Sequence, residues 1–95
     1  MAKTVRIKKP RYTNLAKRIT ADLHKVLGDE AIIKTEMSYK GHVNIYLISP
    51  LLNDMSERQK REFLWGTLRE ILDEQIRLVG IIWGWGANEP TPWWV

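Results

Sequence analysis

Residues 55–86, MSERQKREFLWGTLREILDEQIRLVGIIWGWG, decide the fold. Their first half has the period of an amphipathic helix. Leu64, Leu68, Ile71 and Leu72 recur at steps of four, three and one, which is one face of a 3.6-residue turn. Ser56 and Gln59 have the spacing of a capping box, in which each side chain satisfies the other's backbone donor. Glu57 adds negative charge at the positive helix end. Arg58, Lys60, Arg61, Glu62, Arg69, Glu70 and Asp73 fall mostly off the apolar face and read as solvated. Gly66 costs about 1 kcal/mol against alanine inside a helix, and close approach of a neighbouring backbone is its expected reason. After Glu74 the period changes. Ile76, Leu78, Val79, Ile81, Ile82 and Trp83 form a short β-branched apolar run, expected to be a strand after a very short turn.

Upstream, Leu15, Ile19, Leu23, Val26 and Leu27 form a second apolar stripe. Thr13 or Asn14 can cap that helix, and Gly28 suits its end. Two strands follow. Residues 31–37 put Ile33, Thr35 and Met37 on one face, and residues 42–49 alternate Val43, Ile45 and Leu47 with His42, Asn44 and Tyr46. The short connection at residues 38–41, with Gly41 able to take positive φ, predicts an antiparallel hairpin. Pro50 ends the second strand. The expected architecture is therefore α+β, in αββαβ order, with two helices on one face of a three-stranded sheet. The last strand can pair parallel or antiparallel with either hairpin strand.

Ninety-five residues make one domain, and a chain of this size buries only somewhat more than about 60% of its unfolded surface. The chain has no cysteine, which excludes disulfides, thiolate metal sites and cysteine nucleophiles and fits a cytoplasmic location. No run of 18 apolar residues exists to span a membrane, and the basic N-terminus lacks the apolar region of a secretory signal. The net charge of +4 is unevenly spread. Residues 1–18 hold seven basic residues and no acidic one, whereas residues 19–95 hold eight basic and eleven acidic, a net of −3. Residues 1–12 read as a basic arm, disordered or a short edge strand at Val5 and Ile7, leaving residues 13–95 as the domain.

Catalytic chemistry finds little support. His24 and His42 are the only histidines and cluster with no other ligand, so no metal is expected. Serines 38, 49 and 56 have no base near them in sequence. Two features point instead to binding. Lys8, Lys9, Arg11, Lys17 and Arg18 can neutralise phosphates of RNA or DNA, or serve simply to keep the chain in solution. Trp85, Trp93 and Trp94, in a tail interrupted by Pro90 and Pro92, can cover the sheet, stack on bases, or anchor a protein partner or a second copy. Trp65 and Trp83 read as core or core-edge residues.

Several short motifs, IYLIS ending at Ser49, Leu52-Asn53-Asp54-Met55 before Ser56, Lys60-Arg61, IRLVGII, and Thr91-Pro92 before a tryptophan, come in a telling order. Between about residues 31 and 94 this order resembles the framework of the BolA-like family, whose domain is similar in topology to a type II KH domain. The resemblance implies the αββαβ fold. The family's signature histidines fall at Arg61 and Arg77, and the second is implicated in sharing an iron–sulfur cluster with a monothiol glutaredoxin. A guanidinium stays protonated and has no lone pair to give, so no cofactor is expected here. The GXXG loop with which KH domains clamp nucleic-acid backbone is also absent. The sequence thus points to a non-enzymatic binding module, for nucleic acid through the basic segment or for protein through the aromatic tail.

Overall fold

The computed structural model describes the backbone of residues 2–38 and 40–95 and the side chains of residues 14–38 and 40–95. The elements run α1 (Ala2–Leu27), β1 (Ile32–Met37), β2 (Val43–Ser49), α2 (Glu57–Leu72) and β3 (Val79–Gly86). This is the αββαβ order expected from the sequence, and the sheet is mixed. Strand β2 is central, antiparallel to β1 and parallel to β3.

The period-2 alternation of β2 sets the layers. Val43, Ile45 and Leu47 point to the core, where they meet Ile19, Leu23 and Leu27 of α1 and Leu64, Leu68 and Leu72 of α2. Ile33, Thr35 and Met37 of β1 lie opposite Leu47, Ile45 and Val43, on the same face as expected. Val26 departs from its expected stripe and is half exposed, while Ala16 takes a buried place.

The local signals hold at the helix ends. Ser56 Oγ accepts from Gln59 N at 3.1 Å, and Ser56 N donates to Gln59 Oε1 at 2.8 Å. Gly28 ends α1 at φ 97°, and its amide donates to the His24 carbonyl at 2.8 Å. A one-turn 3-10 helix at Pro50–Leu52 links β2 towards α2. Its cap is the fully buried Ser49, whose Oγ accepts from Leu51 N at 3.1 Å.

Four expectations need correction. Helix α1 begins at Ala2 instead of Thr13 or Asn14, so the basic segment read as an arm has helical backbone; lysine, arginine and alanine all favour that state. It continues through Pro10, which has no N–H to donate to the preceding turn. The last strand begins at Val79, since residues 73–78 form a 3-10 helix after Asp73 turns the chain at φ 52°. There Ile76 still packs against the core, which is why its apolar character mimicked a strand.

Gly66 has nothing within 4 Å of where a Cβ would stand, so no neighbour demands it. The close approach occurs at Gly84 instead. A Cβ there would collide with Leu52 Cδ1 and lie 2.8 Å from Leu64 Cδ1. Finally, Lys60 is buried at 3% exposure, although its charge placed it on the solvated face.

Candidate functional site: the outer aromatic face and the free strand edge

Residues of β2 that alternate with the core set point to the other side of the sheet. Cross-strand register brings Tyr46 beside Lys34 and Trp83, Ile48 beside Ile32 and Trp85, and Asn44 beside Glu36 and Ile81. Among the described residues, both helices pack on the opposite, core side. The C-terminal tail folds back over part of the outer side, which is the sheet-covering reading among those open for its tryptophans. Tyr46 meets Trp93 edge to face at 5.6 Å and Trp94 at 6.2 Å, and Trp94 lies 5.7 Å from Trp85. Trp85 in turn stands edge-on to Trp83 at 6.1 Å.

Cover is partial. Tyr46 is buried, yet Trp83 is 55% exposed, Trp93 70% and Ile81 42%. Of the two tryptophans read as core or core-edge, Trp65 packs partly buried against the core, whereas Trp83 stands mostly exposed on the outer face. On β3 it falls on the outer side, because Ile82 and Gly84 take the core side opposite Ile45 and Leu47. Charge on this face is sparse and balanced, with Lys34 and Glu36 both on β1. Burial, reinforced by the hydrogen bond that Tyr46 donates to Glu36 at 3.1 Å, raises the tyrosine pKa and keeps the phenol neutral. Trp94 Nε1 is buried with no acceptor among the described residues.

A buried ion pair holds the start of the tail. Lys60 Nζ lies 2.6 Å from Glu89 Oε2 and 3.2 Å from Glu57 Oε2. Glu89 also accepts from Gly86 N at 3.0 Å, and the turn is closed by Glu89 N donating to the Gly86 carbonyl. Asn88 N donates to Asn53 Oδ1, which ties this turn to the segment entering α2. The ammonium of Lys60 and the amide of Gly86 lower the Glu89 pKa. For Lys60, burial is the largest single influence and lowers the pKa, but Glu89 and Glu57 together outweigh it and the result is raised. Sequence reasoning missed this pair. Its one local trace was the Glu57–Lys60 spacing, which fits any exposed helical ion pair as well.

The two proposed clusters occupy different places. Trp85, Trp93 and Trp94 come together on the outer face. Lys17 and Arg18 are exposed on α1, in the helical layer on the other side of the sheet. Arg18 is moreover engaged within the fold, donating to Gln75 Oε1 at 2.6 Å and to the Ile71 carbonyl at 3.2 Å. The side chains of Lys8, Lys9 and Arg11 lie outside the described residues. His24 donates from Nδ1 to the Gly28 carbonyl at 3.1 Å and helps to close α1, and the His42 amide donates to Ser38 Oγ.

Among the described residues no group of three or more histidine, cysteine or carboxylate side chains is placed to hold a metal ion. Nor, among the described residues, is any helix long and apolar enough to cross a membrane. Comparison with known proteins finds no matching family, no matching curated protein and no matching solved structure.

Proposed function

We propose that this chain is a small non-enzymatic binding module whose recognition surface is the outer face of the sheet, and that its ligand is a protein surface. The observation carrying this reading is the pair of large aromatic side chains, Trp83 and Trp93, left exposed on a face whose described strand residues include one lysine and one glutamate. Tryptophan gives up much apolar area at small entropic cost and is enriched where interfaces hold their energy. A nucleic-acid platform on this face would need cations beside the rings, and the described cations of α1 stand on the opposite side. The BolA-like kinship is a proposal of the same rank. It is supported by the quoted motifs and the αββαβ order, with Arg61 and Arg77 arguing against any role in cluster ligation.

The test is photo-crosslinking in extract from a photoreactive residue at Trp93, with the same residue at Glu70 on the helical side as reference. A discrete, saturable protein adduct from position 93 alone supports the reading. Equal labelling from both positions, or none, removes it.

Nucleic-acid binding through Lys8, Lys9, Arg11, Lys17 and Arg18 is a second reading. It is supported by the continuity of α1, whose helical backbone carries all seven basic residues of the segment 1–18. Titration of the full chain and a truncation starting at Asn14 against short RNA and DNA at two salt concentrations decides it. Phosphate neutralisation requires tight binding at low salt that weakens steeply as salt rises and is lost on truncation.

A further inference from the structure

The sheet has two edges, and they are built differently. Strand β1 carries Lys34 and Glu36 along its length, the kind of charge that discourages a further strand from joining. Strand β3, VGIIWGWG, has neither a charge nor a proline over eight residues. A bulge at Gly80, where the register jumps from Val79 to Ile81, interrupts only its first turn of pairing. From Ile81 to Trp85 its far side meets no strand among the described residues, so every second residue presents an unpaired amide and carbonyl outward.

Above this edge runs a cleft against α2, lined by Glu57, Arg61, Trp65 and Trp83. Glu57 and Arg61 are exposed and one helical turn apart on its rim, and Arg61 has no ion-pair partner among the described residues.

We propose that β3 pairs antiparallel with β3 of a second copy of this chain, across a two-fold axis, to give a continuous six-stranded sheet. The occupant is a second copy for two reasons. A free strand edge matches itself in antiparallel register under two-fold symmetry. The rim of the cleft is also self-complementary in charge, because the axis reverses the order of Glu57 and Arg61 so that acid meets base. Pairing satisfies the open amides and carbonyls and covers part of Ile81 and Trp83 while leaving Trp93, on the tail, free for the outer-face partner. The dimer does not depend on that partner, so each can fail alone.

The experiment is sedimentation equilibrium of the full chain over a wide concentration range, paired with amide hydrogen exchange of residues 81–85. The wild type should approach twice its 11.2 kDa mass as concentration rises, with alternate β3 amides gaining protection in step. Ile81→Lys introduces a charge into each of the paired strands and should abolish the dimer, whereas Trp93→Ala should keep it. Trp83→Lys, at a more exposed position, replaces Ile81→Lys if that variant loses its native circular dichroism. A mass of 11.2 kDa at every concentration overturns the proposal. So does a dimer that survives both lysine variants with β3 amides unprotected.

Discussion

Replacing Glu89 by glutamine tests whether the ion pair at the root of the tail holds as described. Glutamine keeps an oxygen for the Gly86 amide and removes only the charge facing Lys60. Lys60 is almost wholly enclosed, and its other partner, Glu57, is 81% exposed at the side chain. An exposed helical pair of that kind contributes about 0.3–0.5 kcal/mol. Glu89 is therefore the main counter-charge. Stranding one member of a buried pair costs about 3–5 kcal/mol, and the 28% exposure of Glu89 together with the surviving Glu57 contact brings the expected loss to about 2 kcal/mol.

Lys60→Met should cost less, about 1 kcal/mol, since an unpaired Glu89 still accepts from Gly86 and reaches water. The double variant should cost clearly less than the two single losses added together. Urea unfolding followed by tryptophan fluorescence measures all three. The pH profile supplies a second check. Because the Glu89 pKa is lowered, its contribution is present above the usual 4.5 and is lost as pH falls through the lowered value. Because the Lys60 pKa is raised, its contribution is present below 10.5 and is lost as pH rises through the raised value. Glu89→Gln should flatten both limbs. A loss below about 0.5 kcal/mol, the scale of an ordinary surface substitution, with unchanged limbs would refute the account.

Gly66→Ala should stabilise the chain by about 0.5–1 kcal/mol, since the methyl meets open space in a helix interior; a lower urea midpoint would show an unrecognised contact. Gly84→Ala should do the opposite, by about 1–3 kcal/mol, because the methyl meets the tips of Leu52 and Leu64, and a neutral result would mean those leucines repack freely. Ser56→Ala removes the acceptor for Gln59 N and should cost about 1 kcal/mol, with Ser56→Gly milder; equal stability in all three would deny the cap its role.

Local periodicity and the short hairpin connection carried most of the fold in advance. Leu64, Leu68 and Leu72 declared the buried face of α2, and Val43, Ile45 and Leu47 that of β2, because burial on one side imposes the helical and strand periods directly. The parallel pairing of β3 with β2 was open, since it depends on how α2 crosses the sheet and no residue of β3 encodes it. Ile76 and Leu78 misled for a related reason: a 3-10 turn that packs on a core needs the same apolar residues as a strand. The candidate site was half legible. Trp85, Trp93 and Trp94 were recognisable as a group, and covering the sheet was one of the places their tail could take. Lys60 and Glu89 were not, because a lysine enclosed by a carboxylate 29 positions later looks no different in sequence from one in water. The exposure of Trp83 was not legible, because the outer and core faces of β3 are both apolar, which erases the alternation that distinguishes them.

The mixed pairing of β2 has a consequence for the order of events in folding. Its antiparallel neighbour β1 is joined by a connection of a few residues, so that ladder can close on the microsecond scale typical of hairpins, about 1–10 μs. Its parallel neighbour is far off in the chain: Val43 pairs with Val79, and the whole of α2 must lie between them. Loop-closure entropy has to be met before that pairing returns any contact energy. Strand β3 is thus expected to dock late, after the hairpin and α2 have a surface to offer it. Until then an apolar segment without a single charge is also the last to find shelter, and refolding yield should fall with protein concentration more steeply than refolding rate.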